Sequence, residues 1–252
     1  MIAWREKFRA VLLHFFVTLA MAVAAAALIF FVWYPDPFQD MLGGTRFFLL
    51  IAICDLVLGP LTSLIIYNSK KSRRALIFDY SVVGVVQLAA FVYGVMTISS
   101  ARPVYIAFVK DRFEVVIAED LADKDLQEAK DPYRTRPKWG PVLIGTQRPD
   151  TREARNALVF AAMEGKDIQN FPRYFVPYEA VADAVKQAGQ PMEKLYKHHP
   201  EARQLIADEN VKEPDAQLRW LPIQGTRSFW TVLLDANTGA LLGYLPIDPY
   251  ES

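Results

Sequence analysis

The chain has 252 residues, in which 28 Lys and Arg are balanced by 28 Asp and Glu. Eight of these bases and five of these acids precede residue 101, so neither part has the basic excess of a nucleic-acid-binding protein, and we expect no DNA or RNA partner. The single cysteine, Cys54, excludes an intramolecular disulfide and a cysteine-based metal cluster. We interpret Cys54 as a small packing residue within an apolar run.

Three apolar segments, residues 10–33, 47–67 and 81–100, reach the roughly 20 residues that a helix needs to cross a bilayer. The string LIFFVW makes the first segment longer than the apolar region of a signal peptide, which favours a retained span. The sequence therefore predicts a membrane part, residues 1–100, with three transmembrane helices. Five aromatic residues are predicted to form a belt at its outer interface: Trp33, Tyr34, Phe38, Phe47 and Phe48.

The orientation follows from the bases in the short connections, because cytoplasmic loops carry an excess of Lys and Arg. The first connection carries one base, Arg46, whereas the second carries four: Lys70, Lys71, Arg73 and Arg74. This asymmetry predicts a cytoplasmic N-terminus. The polar part, residues 101–252, then lies on the outer side of the membrane, which is the periplasm if the source is Gram-negative.

An acid lies within the second span. At 1.5 Å per residue, Asp55 is roughly 12 Å below the outer end of that helix. A charged carboxylate there costs about 2.5–3.5 kcal/mol unless it is paired or protonated, so it is expected to face other helices. The depth of Tyr93 permits a hydrogen bond to Asp55, and Arg46 or Arg102 is an alternative partner. Three roles are open for Asp55: a structural contact in the bundle, a contact with another protein's helix, and proton or ion transport.

The Gly59-Pro60 pair is expected to kink the second span, because proline removes a backbone donor and clashes with the preceding turn. Small residues on these helices let another helix approach closely. Gly59, Ser63 and Gly84 therefore predict either a groove for a partner helix or close packing within the bundle.

The polar part is predicted to be an α+β domain with antiparallel strands. VYIAFV and FEVVIA alternate as the strands of a hairpin, which Asp111 and Arg112 are expected to close as an ion pair. Arg102, at the start of this hairpin, is a candidate contact for lipid phosphate groups. Helices are predicted at residues 121–130, 151–165, 178–189 and 191–209, and further strands at 142–145, 218–225, 228–235 and 240–247.

Nothing in the sequence carries the pattern of a catalytic or metal site. His198-His199 lies beside Pro200 without further ligands, which favours a solvated surface turn. The Trp139-Gly140-Pro141 stretch favours a turn with a packed aromatic ring over a binding loop. We therefore expect no enzymatic activity, cofactor or metal.

The strings DLVLGPL at 55–61, KKSRR at 70–74, QLAAFVYG at 87–94 and ARPVYIAFVKDRFEVV at 101–116 are the most distinctive in the chain. Together they resemble the TfpX/TfpZ family of type IV pilin accessory proteins, from the N-terminus to about residue 118 and more weakly beyond. The resemblance implies an inner-membrane protein that assists a type IV major pilin, without catalysis. It carries over these motif positions as partner-binding or structural candidates: Asp55, Gly59, Pro60, Gln87, Tyr93, Gly94, Arg102, Pro103, Asp111, Arg112 and Phe113.

A pilin in the membrane has one long apolar helix and an outer globular head. A helper therefore needs a helix-binding membrane part and an outer domain that contacts the head, and the second and third spans are expected to hold the pilin helix. The rival hypothesis is a membrane-anchored periplasmic ligand-binding sensor, although its cytoplasmic loop is short for an output domain. An anchored periplasmic hydrolase would need a nucleophile and a base, which the motifs do not provide.

Overall fold

The computed structural model of the chain describes residues 2–68, 71–209, 211, 213–226 and 228–251. The chain divides into two compact units, Met1–Ala101 and Arg102–Ser252, which are called here the membrane unit and the soluble unit. Lys70, one of the four bases that orient the second connection, lies outside the described residues.

The membrane unit contains three long helices. They are α1 (Ile2–Leu28), which continues as a π-helical turn (Ile29–Trp33), then α3 (Gly44–Ile66) and α4 (Arg73–Ser100), with the short α2 (Phe38–Met41) before α3. All three are long and apolar enough to cross a membrane. The first and third predicted spans fall within these helices, and the second, 47–67, extends one residue beyond the end of α3. Helix α4 starts earlier than its span because the Ser72 side chain caps it by accepting a hydrogen bond from the Ala75 N–H at 3.3 Å.

The second span, α3, packs against both α1 and α4. It is one continuous helix through Pro60, so the Gly59-Pro60 pair does not break it. Close packing at one end of the bundle depends on Tyr34, which is only 2% exposed. Its hydroxyl donates to the Ile98 carbonyl at 3.0 Å, and a Cβ at Gly44 would lie 2.9 Å from its ring. Tyr34 and the buried Phe38 are therefore interior residues, and their predicted place in an interfacial belt is wrong.

The soluble unit contains one mixed sheet. Its strands are β1 (Pro103–Val109), β2 (Arg112–Ile117), β3 (Val142–Thr146), β4 (Phe175–Pro177), β5 (Gln190–Pro191), β6 (Leu218–Gln224), β7 (Phe229–Asp235) and β8 (Leu241–Leu245). The order is β4-β3-β1-β2-β6-β7-β8, with β5 on β6. The β1–β3 and β2–β6 pairs are parallel and the others antiparallel, so the predicted α+β class with antiparallel strands is confirmed.

The helices of the soluble unit are short. They are α5 (Asp123–Gln127), α6 (Arg152–Met163), α7 (Ala182–Ala188), α8 (Met192–His198) and α9 (Ala202–Asp208). Thr151 caps α6 as predicted, its side chain accepting from the Ala154 N–H at 3.2 Å. The predicted helix 191–209 is two helices, because the residue before Pro200 is disfavoured in the helical conformation and α8 ends there. The helices predicted at 121–130 and 178–189 are shorter, and the second opens with a 3-10 turn (Tyr178–Val181).

Two clusters of buried side chains stabilise the soluble unit. One joins β1, β2 and β3 to α5 and includes Tyr105, Val116 and Ile144. The other packs α8 and α9 on β6, β7 and β8 through residues such as Leu195 and Leu233. Burying apolar side chains in this way is worth about 1.5–3 kcal/mol each, which is the main contribution to the free energy of folding of such a unit.

Candidate functional site

A groove lies between the three long helices of the membrane unit and encloses a cavity of about 220 Å³. Its lining includes His14 and Thr18 from α1, Asp55 from α3, and Gly84, Gln87 and Leu88 from α4. This arrangement is called the membrane groove below. Because α3 packs against both other helices, it forms the floor, and α1 and α4 form the walls. The expected groove between the second and third spans therefore also includes the first span.

Asp55 is the one residue that α3 contributes to the groove lining. Its side chain is half-buried, and across the described ranges it makes no hydrogen bond or ion pair. The hydrogen bond that the depth of Tyr93 permits is not formed, because the Tyr93 side chain is 74% exposed on another face of α4. Arg46 is exposed as well. A carboxylate in an apolar groove is costly unless a donor or cation reaches it, so Asp55 can receive a polar group from a guest helix.

The sequence analysis did not identify a polar contact about two turns further along α3 from Asp55. His14 Nδ1 lies 2.6 Å from Ser63 Oγ, which joins α1 to α3. A Cβ at Gly59 would lie 3.1 Å from His14 Nε2 and 3.2 Å from Gln87 Nε2. Gly59 therefore lets side chains of both walls reach the backbone of the floor helix. The sequence did contain a sign of this contact, because a histidine inside an apolar span is rare without a structural or functional reason.

The other glycines of the bundle have different surroundings. A Cβ at Gly94 would lie 2.8 Å from Ile51 Cδ1, so Gly94 allows α3 and α4 to pack closely. A Cβ at Gly84 would meet nothing within 4 Å, and Gly84 lines the groove. Gly59 and Gly94 thus serve packing within the unit, whereas Gly84 keeps the groove wide.

The candidate residues of the β1–β2 hairpin belong to the soluble unit. Arg112 Nε donates to Glu114 Oε1 at 2.5 Å, so the predicted Asp111–Arg112 ion pair is wrong. The reason is the period of a strand, which places residues two apart on the same face. Burial raises the pKa of Glu114, and the hydrogen bond from Arg112 opposes that effect. Asp111 is exposed at the turn.

The remaining hairpin candidates have contacts within the soluble unit. Phe113 is fully buried, with ring centroids 5.5 Å from Phe108 and 6.3 Å from Tyr178. Pro103 is buried at the start of β1. Arg102 Nη2 donates to the Pro137 carbonyl at 3.3 Å. These contacts account for the three residues as parts of the soluble unit.

Three minor predictions also need correction. His199 is buried, and its Nδ1 lies 3.2 Å from Glu201 Oε1, so it is not part of a solvated turn. Trp139 is exposed and does not pack as a turn aromatic. Cys54 is exposed on α3, on the surface that lipid covers in a membrane, so it is not a packing residue inside the bundle.

The three apolar helices and the separate α+β unit define a membrane-anchored protein with a folded soluble unit. The family profile "Fimbrial assembly protein FimB" matches residues 2–43. Two fimbrial assembly proteins of Dichelobacter nodosus, of serogroups I and E1, are each 31% identical over 245 residues, which is 95% of this chain and 94% of each relative. That of serogroups C1 and C2 is 38% identical over 117 residues, 46% of this chain and 89% of the relative.

The chain therefore belongs to the fimbrial assembly protein family. No solved structure matches it.

Proposed function

We propose that this protein is a pilin accessory protein of the TfpX/TfpZ type, which binds a type IV major pilin in the inner membrane and assists its stability, processing or assembly into pili. Its membership of the fimbrial assembly protein family supports a role in making fimbriae. The motifs between residues 55 and 116 support the finer assignment. The role is one of binding and requires no catalytic step.

The observation that carries this proposal is the membrane groove. Its walls come from α1 and α4 and its floor from α3. Between apolar helices in lipid, affinity comes from close packing and from interhelical hydrogen bonds. Gly84 supplies the space for close packing, and Asp55 and Gln87 supply polar groups. An apolar pilin helix with a donor group at the depth of Asp55 fits such a surface.

The proposal includes an orientation. The bases of the second connection, among them the exposed Arg73 and Arg74, favour a cytoplasmic position for it. The soluble unit then lies in the periplasm, on the side of the pilin heads. A periplasmic reporter enzyme fused after β8 is expected to be active, and a reporter active only in the cytosol would exclude this orientation.

Site-specific photocrosslinking in cells that produce the pilin tests the groove. A photoreactive residue at Leu88, in the groove lining, is expected to give pilin adducts identified by mass spectrometry. The matched control is Val86, which is exposed at nearly the same depth but about 200° around α4. Equal yields at both positions, or no pilin adduct from Leu88, would reject pilin binding in the groove.

The ligand-sensor alternative has one specific observation in its favour, a cavity of about 530 Å³ in the soluble unit. Pockets for small molecules have volumes of about 300–1,000 Å³. A metabolite that co-purifies with the full-length protein would support this alternative.

A further inference from the structure

The cavity of the soluble unit lies beyond the C-terminal ends of β1 and β3. These two strands are parallel neighbours, so their C-terminal ends lie on the same side of the sheet. Thr146 Oγ1 ties them by donating to the Phe108 carbonyl at 2.8 Å. Phe108, Val109 and Thr146 line one side of the cavity. Ligands of proteins with parallel strands commonly bind beyond the carboxyl ends of those strands, which makes this position suitable for a binding site.

Helix α6 forms another wall of the cavity. Arg155, Leu158, Val159 and Ala162 line it at the spacing of a single helix face. No residue of α6 is buried. The apolar surface continues from Val159, which is 64% exposed, to two side chains outside the cavity, Phe160 at 68% and Met163 at 81%. Contiguous exposed apolar surface of this kind marks a site of protein interaction.

The charges of the lining are predominantly positive. Lys110, Arg148 and Arg155 line the cavity, against one acid, Asp167. The Arg155 side chain is held by the segment that precedes its helix, since its Nη1 donates to the carbonyls of Pro149 and Asp150 at 3.0 and 2.6 Å. Lys110 and Arg148 are exposed, and within the part of the chain that the structure describes neither forms an ion pair. The lining therefore complements a partner that carries carboxylates.

We infer that this cavity, together with the exposed apolar face of α6, docks a polypeptide segment in which a large apolar side chain stands next to acidic residues. The apolar side chain enters the cavity, the carboxylates pair with Lys110 and Arg148, and the neighbouring residues cover Met163 and Phe160. A polypeptide is favoured over a small molecule because the apolar surface extends from the cavity onto the outside of α6. The identity of the partner as the pilin head rests on the proposed function.

Photocrosslinking from α6 in the full-length protein, in cells that make the major pilin, tests this inference. A photoreactive residue at Met163 is expected to give at least about ten times more pilin adduct than one at Ala157, which lies on the opposite side of α6 from the cavity lining. Peptide mapping is expected to place the adduct in an apolar segment flanked by Asp or Glu. Equal yields at the two positions would overturn the inference.

Charge reversal provides a second measurement. Lys110→Glu combined with Arg148→Glu is expected to lower the Met163 adduct yield about tenfold, whereas Lys110→Arg with Arg148→Lys retains it. Resistance to proteolysis checks that the variants are folded. An unchanged yield after charge reversal would overturn the inference, as would a small molecule found in the cavity by native mass spectrometry.

The outcome at Leu88 separates the two proposals. Pilin adducts from Leu88 without any from Met163 would reject the α6 site and leave the groove proposal standing. Adducts from Met163 alone would reject the groove and support the α6 site. The absence of adducts from both positions would reject both.

Discussion

The membrane unit and the soluble unit bury different kinds of side chain. In the soluble unit many of the fully buried residues are large and apolar, such as Phe113, Leu195 and Leu233. In the three spans of the membrane unit, the buried residues include many that are small, such as Gly59, Ser63 and Gly94, while most large apolar side chains point outward.

This difference follows from the solvents that surround the two units. Water drives large apolar side chains into a core, whereas lipid is as apolar as leucine and provides no such force between helices. The membrane unit therefore depends on close approach at small residues and on a few polar contacts, such as His14 to Ser63. A large apolar side chain therefore indicates a core position in the soluble unit, but it does not indicate one in the membrane unit.

The largest effect is expected from truncating a core aromatic residue in the soluble unit. Phe113→Ala removes a fully buried ring between Phe108 and Tyr178 and should lower the free energy of unfolding by about 3–5 kcal/mol. The control Phe160→Ala removes an exposed ring on α6 and should change it by no more than about 0.5 kcal/mol. Denaturant titration of the full-length protein in detergent micelles measures both. Similar losses for the two variants would contradict the comparison of buried and exposed positions.

A smaller effect is expected from filling space in the membrane unit. Gly59→Leu forces a side chain against His14 and Gln87 and should destabilise the bundle by about 1–3 kcal/mol. Gly84→Leu meets open space, so it should leave bundle stability unchanged while narrowing the membrane groove and reducing pilin crosslinking from Leu88. Unfolding by SDS in mild detergent measures stability. Equal destabilisation by the two variants would show that Gly84 is also a packing residue.

The smallest effect concerns pH and a single tyrosine of the soluble unit. Burial raises the pKa of Tyr178 to about 12, and its hydroxyl donates to the Gly239 carbonyl at 2.6 Å. The neutral phenol is favoured in the folded state, so its stabilising contribution is complete below the unfolded pKa of about 10 and is lost as pH rises toward 12. Tyr178→Phe should cost about 1 kcal/mol at pH 8 and should make the decline between pH 10 and 12 shallower.

Denaturation midpoints at pH 8 and pH 11 test this expectation. Tyr93→Phe, which alters an exposed ring of the membrane unit, is the control and should follow the wild type. A decline for Tyr178→Phe as steep as that of the wild type would assign the alkaline sensitivity to other groups.

In both units the sequence predicts where helices and strands lie better than it predicts which strands pair with each other. The spans follow from apolar length, and the β1–β2 hairpin and the three final strands follow from alternation and turn residues. The parallel β1–β3 and β2–β6 pairs join strands far apart in the chain, and local patterns do not encode such pairing. The short β4 and β5 each contain a proline, which hid them as strands.

The sequence predicted which residues belong to the candidate site better than it predicted the contacts between them. Asp55, Gly59 and Gln87, which the resemblance named only as separate motif positions, lie close together. Tyr93 does not join them, because its depth can be read from the sequence and its direction around the helix cannot. That direction is set by where α3 and α4 touch, at Gly94 and Ile51. For Arg112, the two-residue period of a strand was sufficient to choose Glu114 over Asp111.

The hydrogen bond of the Tyr34 hydroxyl affects how tightly the membrane unit can bind a partner helix. Its hydrogen bond to the Ile98 carbonyl holds the end of the first span against α4, and the His14–Ser63 contact holds α1 against α3 nearer the other end of the bundle. Asp55 lies along α3 between these two contacts. A receptor surface held at both ends loses little conformational entropy on binding, so more of the packing energy remains as affinity.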